Sequence, residues 1–189
     1  VGGYMYAVEE DTILTLLYCA NSVTIPVSDT EVTIHQETNY PYEGAIRMDL
    51  ALEGVATFGL KLRIPTWALG EQFVPGKLYH FSEKTEASWS LKVNGEPVEA
   101  VVNKGFVEIN RVWADGDRID LDLPMPVRYN VCDDQVAANR GRVALTRGPL
   151  VLCAEEPDNA GAVQRFFAPE LPSEDTREVN HVEEGILSG

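Results

Sequence analysis

Two successive runs of alternating apolar and polar side chains constrain this chain more than any other feature. The apolar positions are Ile46, Met48, Leu50 and Leu52 in the first run and Phe58, Leu60, Leu62 and Ile64 in the second. Successive side chains of a β-strand point to opposite faces, so a period of two predicts strands that each bury one face. The chain is therefore expected to contain a β-sheet with one apolar face.

Turn sequences between other alternating runs extend this pattern. Ser28-Asp29 separates a run with Val23, Ile25 and Val27 on one face from a strand with Val32 and Ile34 inward, which predicts a hairpin. Asn94-Gly95 follows Leu91 and Val93, and this dipeptide suits the positive φ angles of a type I′ turn. A return strand is expected through Val98 to Val102, and Asn103-Lys104-Gly105 then turns into a strand over 106–110.

Three further segments are interpreted as strands from their apolar content. Thr12–Tyr18 is apolar on both faces and is expected to be a buried strand. Arg142–Cys153 is expected to be the central strand, with a bulge or bend at Gly148-Pro149. In Arg118–Val127, Pro124 and Pro126 delete amide donors on one side, so the far half is expected at a sheet edge.

Together these signals predict an all-β fold, an antiparallel β-sandwich of about ten strands with an irregular acidic C-terminal tail. The sandwich domain is expected to span residues 1–155. Residues 156–189 are expected to be a linker, a disordered tail or the truncated start of a further module. Thr66–Ala87 lacks a sustained period and is interpreted as a long inserted surface loop.

The charge balance limits the partners of the chain. Thirty Asp and Glu residues against fifteen Lys and Arg give a net charge of −15 in 189 residues, which opposes binding to nucleic acid or to an anionic membrane. No signal peptide and no bilayer-spanning run are evident, and without an initiator Met the natural start is expected upstream. Cys19, Cys132 and Cys153 are too few and too far apart for a disulfide framework, which fits a reducing compartment or simple burial and leaves the compartment open.

The residues show no pattern of a catalytic or metal site. His35, His80 and His181 are isolated, and no zinc-ligand spacing links histidines to cysteines. Acidic groups sit at turns or on outward positions, where solvated faces are the simpler interpretation, and Asp115-Gly116-Asp117 is interpreted as a turn and not a calcium loop. No catalytic residue, metal ligand or cofactor is therefore predicted within this chain.

Aromatic residues in loops are the stronger hint of function. Tyr40, Tyr42, Trp67 and Tyr79 are candidate contacts for carbohydrate, because flat apolar rings can stack on sugar rings. The alternative is that these rings cover the ends of the sandwich or a neighbouring domain, since aromatic residues are also enriched at interfaces.

Several linked motifs, in order, resemble glycoside hydrolase family 127, the β-L-arabinofuranosidase family. They are QETNYPYEG at 36–44, LKLRIPTWA at 60–68, KVNGEPV at 92–98, INRVWADGDRIDLDLPMPVR at 109–128 and RVALTRGPLVLCAEE at 142–156. The resemblance covers roughly residues 3–159 and matches the β-sandwich portion that follows the catalytic domain in that family.

The resemblance implies a parent enzyme with an upstream (α/α)6-barrel catalytic domain that carries a cysteine nucleophile, a zinc site and a carboxylic general acid. None of the three cysteines here matches those positions. The implied role is a non-catalytic sandwich region that covers one side of the barrel and could support homodimer contacts, in an enzyme acting on plant cell-wall glycans. The alternatives are a carbohydrate-binding module and a purely structural interaction domain.

Overall fold

A computed structural model describes residues 2–70, 72–84 and 89–155, together with residues 157 and 168. In these residues every regular element is a β-strand or a short 3₁₀ turn. The strands are Tyr6–Glu9 (β1), Thr12–Thr15 (β2), Asn21–Val27 (β3), Thr30–Thr38 (β4), Ala45–Leu52 (β5), Val55–Arg63 (β6), Tyr79–Phe81 (β7), Ser90–Val93 (β8), Glu96–Pro97 (β9), Phe106–Ala114 (β10), Arg118–Asp122 (β11), Val127–Cys132 (β12), Val143–Arg147 (β13) and Leu150–Leu152 (β14). The 3₁₀ turns are Gly2–Tyr4, Thr66–Leu69 and Ala137–Asn139.

Two sheets face each other and enclose the main core. Sheet A has the order β1-β2-β6-β10, and sheet B has the order β3-β4-β5-β11-β8-β9. Their inward side chains form one cluster, to which β6 contributes Phe58, Leu60 and Leu62 and β5 contributes Met48 and Leu50. The alternation that defines β5 and β6 thus has its physical origin in this shared core, and the predicted antiparallel sandwich is confirmed.

Among the strands in the described residues, one pair runs parallel and the others are antiparallel. β2 lies beside β6 in parallel, with Thr12 opposite Gly59. A Cβ at Gly59 would come within 2.6 Å of the Thr12 hydroxyl, so glycine lets the two backbones approach closely here. β2 ends at Thr15 and Leu17 is exposed, so the predicted buried strand over Thr12–Tyr18 is three residues too long.

The tight turns agree with the sequence. The β3–β4 hairpin turns at Ser28-Asp29, where Ser28 has φ of 51°. Asn94 and Gly95 have φ of 54° and 84°, as a type I′ turn requires, and join β8 to β9. The return strand, however, covers only Glu96–Pro97 and not the stretch to Val102.

The structure contains a third sheet, and this sheet contradicts two of the sequence predictions. Sheet C has the order β14-β13-β12-β7, and its strand β7 lies inside the segment interpreted as a surface loop over Thr66–Ala87. Arg142–Cys153 is not a central strand: it folds into the β13–β14 hairpin at one edge of this sheet. Gly148, with φ of 55°, takes the first of the two turn positions, as glycine does in type II′ hairpins. The Gly-Pro pair therefore reverses the chain and does not merely bend it.

The sequence predicted that the segment with Pro124 and Pro126 lies at a sheet edge, and the structure contradicts this prediction. β11 lies inside sheet B between β5 and β8, so its residues are not at a sheet edge. The chain leaves this sheet after Asp122, and the segment with Pro124 and Pro126 crosses to β12 in sheet C. Because proline cannot donate to a ladder, the two residues end one strand and separate it from the next.

Within the described residues no helix is long or apolar enough to span a bilayer. The predicted acidic tail and the boundary at residue 155 fall almost wholly outside the described residues, so that division of the chain remains a prediction.

Candidate glycan-contact site

An aromatic cleft lies at the end of the sandwich where β6 terminates. Pro65 follows β6 and cannot continue its ladder, and Thr66–Leu69 then forms a 3₁₀ turn that ends at Gly70 with φ of 87°. The Thr66 hydroxyl donates to the carbonyl of Phe73 at 2.9 Å and closes the following loop. This local structure turns Trp67 back against the core, where only 6% of the residue is exposed.

Two tyrosines form the opposite wall of the cleft. The rings of Tyr18 and Tyr40 meet edge to face, with centroids 5.9 Å apart. The Tyr18 hydroxyl donates to the backbone carbonyl of Arg63 at 2.7 Å, and the indole N–H of Trp67 donates to the Tyr40 hydroxyl. The peptide bond between Tyr40 and Pro41 is cis. The three rings are therefore linked to one another by ring contact and hydrogen bonding.

Burial governs the ionisation of both phenols. It raises the pKa of Tyr18, with a further contribution from nearby Tyr40. Burial also raises the pKa of Tyr40, against the opposing effects of the Trp67 hydrogen bond and the Arg63 charge. Both phenols are therefore neutral near pH 7 and act as hydrogen-bonding groups, not as bases.

The cleft encloses about 290 Å³ and is mainly apolar. Its residues are Leu16, Leu17, Tyr18, Tyr40, Arg63, Pro65, Thr66, Trp67, Phe73, Val74, Pro75 and Pro149. Arg63 is the one charged side chain in this lining, and its guanidinium donates to the Leu16 carbonyl at 3.4 Å. Such a lining can hold an apolar group or one face of a sugar ring, and it contains no carboxyl group and no histidine.

The structure brings together two of the four sequence candidates. Tyr40 and Trp67 share the cleft, whereas Tyr42 lies two residues beyond Tyr40 with 61% of its surface exposed. The Tyr42 carbonyl accepts a hydrogen bond from Arg147 at 2.7 Å, which ties this turn to sheet C. Tyr79 lies apart on β7, where its hydroxyl accepts a hydrogen bond from Asn139 at 3.1 Å. As glycan contacts, all four remain predictions.

Sequence reasoning missed two aromatic members of the cleft. The sequence places Tyr18 in a predicted buried strand, and nothing in the sequence distinguishes Phe73 within the predicted loop. The sequence signal for Tyr18 is weak, because an aromatic residue at the end of an apolar run fits a strand equally well. Its role depends on the Arg63 carbonyl, which is distant in sequence.

Several carboxylates on the outer surface are ion-paired with arginine side chains. Arg47 lies between Glu37 and Asp120 at 3.5 and 3.6 Å, and Arg118 pairs with Asp49 at 2.7 Å. The acidic groups on outward strand positions are thus solvated, as predicted.

In the described part of the chain, two carboxyl groups have a clearly shifted pKa. A glycosidase acid needs a raised carboxyl pKa, whereas the pKa values of Asp117 and Asp133 are lowered. At Asp117, burial raises the pKa but hydrogen bonds from Asn94 and the Ala114 amide outweigh it. At Asp133, the Gln135 amide lowers the pKa.

Asp115-Gly116-Asp117 forms the predicted turn. Asp115 accepts a hydrogen bond from the Leu52 amide, and Asp117 accepts one from the Ala114 amide. Over the described ranges, no three His, Cys, Asp or Glu side chains are grouped so that they could hold a metal ion.

The fold and the cleft define a β-sandwich region, and comparison with known proteins identifies its family. The model of the GH127 β-L-arabinofuranosidase middle domain matches residues 12–125, and that of the family 127 C-terminal domain matches residues 127–182. The chain therefore belongs to glycoside hydrolase family 127.

Relatives and solved structures agree with this assignment. A non-reducing end β-L-arabinofuranosidase of Bifidobacterium longum subsp. longum is 32% identical over 173 residues, a match that covers 88% of this chain. A solved GH127 β-arabinofuranosidase is 39% identical over 82% of this chain, with a TM-score of 0.78. A GH127 β-L-arabinofuranosidase from Geobacillus stearothermophilus T6 is 38% identical over 85% of this chain, with a TM-score of 0.71.

The chain spans less than a quarter of each of these proteins: 23% of the Bifidobacterium relative, and 24% and 22% of the two solved chains.

Proposed function

We propose that this chain is the non-catalytic sandwich region of a glycosidase that removes β-L-arabinofuranosyl residues from plant cell-wall glycans. The main support is its match to the middle and C-terminal domains of family 127, together with its small share of relatives named for that activity. The aromatic cleft supports the same role, because its polar groups are neutral phenols, an indole and a single arginine. A phenol with a raised pKa is a much weaker acid than the carboxyl group that glycosidases use to protonate the glycosidic oxygen.

The zinc implied by the family resemblance does not fit the described residues. Cys19 precedes β3, Cys132 ends β12, and Cys153 follows β14, and no cluster of potential ligands surrounds any of them in the described part of the chain. We assign the zinc, the cysteine nucleophile and the general acid to an (α/α)6-barrel domain outside this chain.

Hydrolysis of an aryl β-L-arabinofuranoside tests this function. The complete product of the gene should release the aryl group, whereas residues 1–189 at the same molar concentration should release none. Circular dichroism of the shorter protein should show cooperative unfolding, which excludes misfolding as the cause. Activity of residues 1–189 alone, or a folded complete protein inactive towards this linkage, would contradict the proposal.

Contact with the barrel gives the cleft a structural role. Leu17 and Val74 line the cleft and remain exposed, so a neighbouring domain could bury them. If it does, Leu17→Asp should weaken co-purification of residues 1–189 with the separately expressed upstream domain. Val55→Asp is the matched control, because Val55 is exposed at the opposite end of β6. Equal retention of the two variants would place the barrel elsewhere.

Glycan binding by the sandwich is the second candidate function, and the exposed ring of Tyr42 is the observation that favours it. Calorimetric titration of residues 1–189 with arabinose-containing oligosaccharides should give saturable binding. Tyr42→Ala should then weaken it about tenfold, on the scale of a lost stacking contact. Tyr4→Ala serves as control, because Tyr4 is exposed in the N-terminal 3₁₀ turn. Unchanged binding in alanine variants of all four candidates, Tyr40, Tyr42, Trp67 and Tyr79, would reject this function.

The resemblance also supports a homodimer formed through the sandwich. Light scattering of the complete protein after size exclusion measures the mass directly, and a monomeric mass at micromolar concentration would count against it.

A further inference from the structure

A single side chain joins the turn between β8 and β9 to the turn between β10 and β11. Asn94 donates from Nδ2 to the Asp117 carboxylate at 2.7 Å, and its Oδ1 accepts a hydrogen bond from the Arg118 amide at 2.8 Å. The Asn94 amide also donates to the Arg118 carbonyl at 2.8 Å. Both polar atoms of the carboxamide are thus engaged by residues 23 and 24 positions further along the chain.

The residue that follows Asn94 makes this carboxamide chemically labile. Gly95 has no Cβ, so little hinders its backbone nitrogen from attacking Cγ of Asn94. In that reaction the bond between the Gly95 nitrogen and Cγ forms, the bond between Cγ and Nδ2 breaks, and ammonia leaves with the proton of the Gly95 amide. Water then opens the succinimide ring to aspartate or isoaspartate. Both residues are exposed, so water reaches them.

The native contacts oppose this reaction. The leaving nitrogen is the atom that donates to Asp117, and rotation of the carboxamide towards Gly95 gives up that bond together with the bond from the Arg118 amide. Asn94 and Gly95 have φ of 54° and 84°, the type I′ pair that keeps the turn closed. Deamidation therefore requires the two turns to separate first.

We propose that Asn94 is a deamidation site whose rate is set by the release of its side chain from Asp117 and Arg118. Local opening of this contact is sufficient, because both turns lie at the surface and do not carry the core. The product prevents reclosure: an aspartate at this position faces the Asp117 carboxylate where a donor stood 2.7 Å away, and isoaspartate lengthens the backbone of the turn. The modification thus unlinks the β8–β9 hairpin from the β10–β11 turn irreversibly.

Ageing of the intact 189-residue chain in mildly alkaline buffer, followed by tryptic peptide mapping, tests the proposal. The tryptic peptide 93–104 contains Asn94 and also Asn103, which precedes lysine and serves as an internal control. Deamidation of Asn94 should be at least about tenfold slower in the folded chain than in a free peptide of residues 90–104. Equal rates would overturn the proposal, because the fold would then exert no control.

Two aspartates of one turn separate this contact from general stability. Asp117→Ala removes the acceptor and should accelerate deamidation of Asn94 in the folded chain at least about threefold. Asp115→Ala is the matched control, because Asp115 accepts from the Leu52 amide, and it should leave the rate unchanged. Asp117→Asn keeps an acceptor oxygen and should retain most of the protection. Equal acceleration by the two alanine variants, or none by Asp117→Ala, would overturn the proposal.

Asn94→Asp reproduces the aspartate product and tests the unlinking, and it also decides the matter if Asp117→Ala does not fold. Its urea midpoint should lie below that of the wild-type chain, because two carboxylates then face each other across the former hydrogen bond. Asn103→Asp, exposed in a different turn, should leave the midpoint unchanged. Equal midpoints for the two aspartate variants would show that deamidation does not unlink the turns.

Discussion

The Tyr18 hydroxyl donates a hydrogen bond to the backbone carbonyl of Arg63 at 2.7 Å, and this contact joins the segment after β2 to the end of β6. The two residues are 45 positions apart in the sequence. Tyr18 is buried, so its hydroxyl has little water to replace the partner. The bond therefore fixes the position of one wall of the aromatic cleft.

Tyr18→Phe should lower the free energy of unfolding by about 1–2 kcal/mol, because the Arg63 carbonyl loses its partner in a mostly buried setting. Urea unfolding followed by tryptophan fluorescence measures the change. Tyr4→Phe should alter stability by less than about 0.5 kcal/mol, since Tyr4 is exposed. Equal effects of the two substitutions would show that the hydrogen bond contributes nothing.

Trp113 lies on the core-facing side of sheet A and is fully buried. Its ring stacks on Phe58 with centroids 5.8 Å apart, and its indole donates to the Phe58 carbonyl at 3.0 Å. Trp113→Phe removes the donor and leaves a small cavity, so we expect a loss of about 2 kcal/mol in thermal or urea unfolding. Val112→Ala, at the exposed neighbouring position, should change stability by less than about 0.5 kcal/mol.

Gly44 allows the chain to pass close to the segment that leaves β11. The Leu123 amide donates to the Gly44 carbonyl at 3.0 Å, and a Cβ at Gly44 would overlap the Leu123 carbonyl oxygen. Gly44→Ala should therefore destabilise the chain by about 3 kcal/mol, because backbone must move to relieve the overlap. Gly3→Ala is the matched control, since no heavy atom lies within 4 Å of its Cβ position. Similar melting temperatures for the two variants would contradict this interpretation.

The contribution of Asp117 to the free energy of unfolding should decrease as the pH is lowered. Burial raises its pKa, but the hydrogen bonds from Asn94 and Ala114 lower it further, so the folded-state pKa lies below the ordinary value of 3.8. A carboxyl with a lowered folded pKa stabilises the fold above its unfolded pKa, and that contribution disappears as pH falls through the folded value.

Asp117→Asn should therefore destabilise the chain at pH 6, and the difference from wild type should shrink below about pH 4. Urea midpoints measured between pH 2.5 and 6 test this, with Asp29→Asn as a turn-residue control. A difference that stays constant over that range would show that the charge of Asp117 has no part in its effect.

Local patterns were sufficient to predict much of the fold. The alternation in β5 and β6 identified their buried faces because burial in a sandwich acts on every second residue. Asn94-Gly95 identified its hairpin because the required φ angles exclude most other residues. In each case the signal itself is contained in a few neighbouring residues.

Only the tertiary structure decided which strands share a sheet and which aromatic rings share a cleft. β7 consists of three residues in an apparently irregular loop, and it is a strand because β12 lies beside it. Gly148-Pro149 reads equally well as a bend or a reversal, and the pairing of β13 with β14 selects the reversal.

The sequence predicts Trp67 only as a loop aromatic, whereas the turn after Pro65 directs it into the core. The sequence by itself determined the class of fold and the faces of its longest strands, because those depend on side chains close together along the chain. The third sheet, the parallel β2–β6 pair and the cleft depend on contacts between distant segments, whose partners no local pattern specifies.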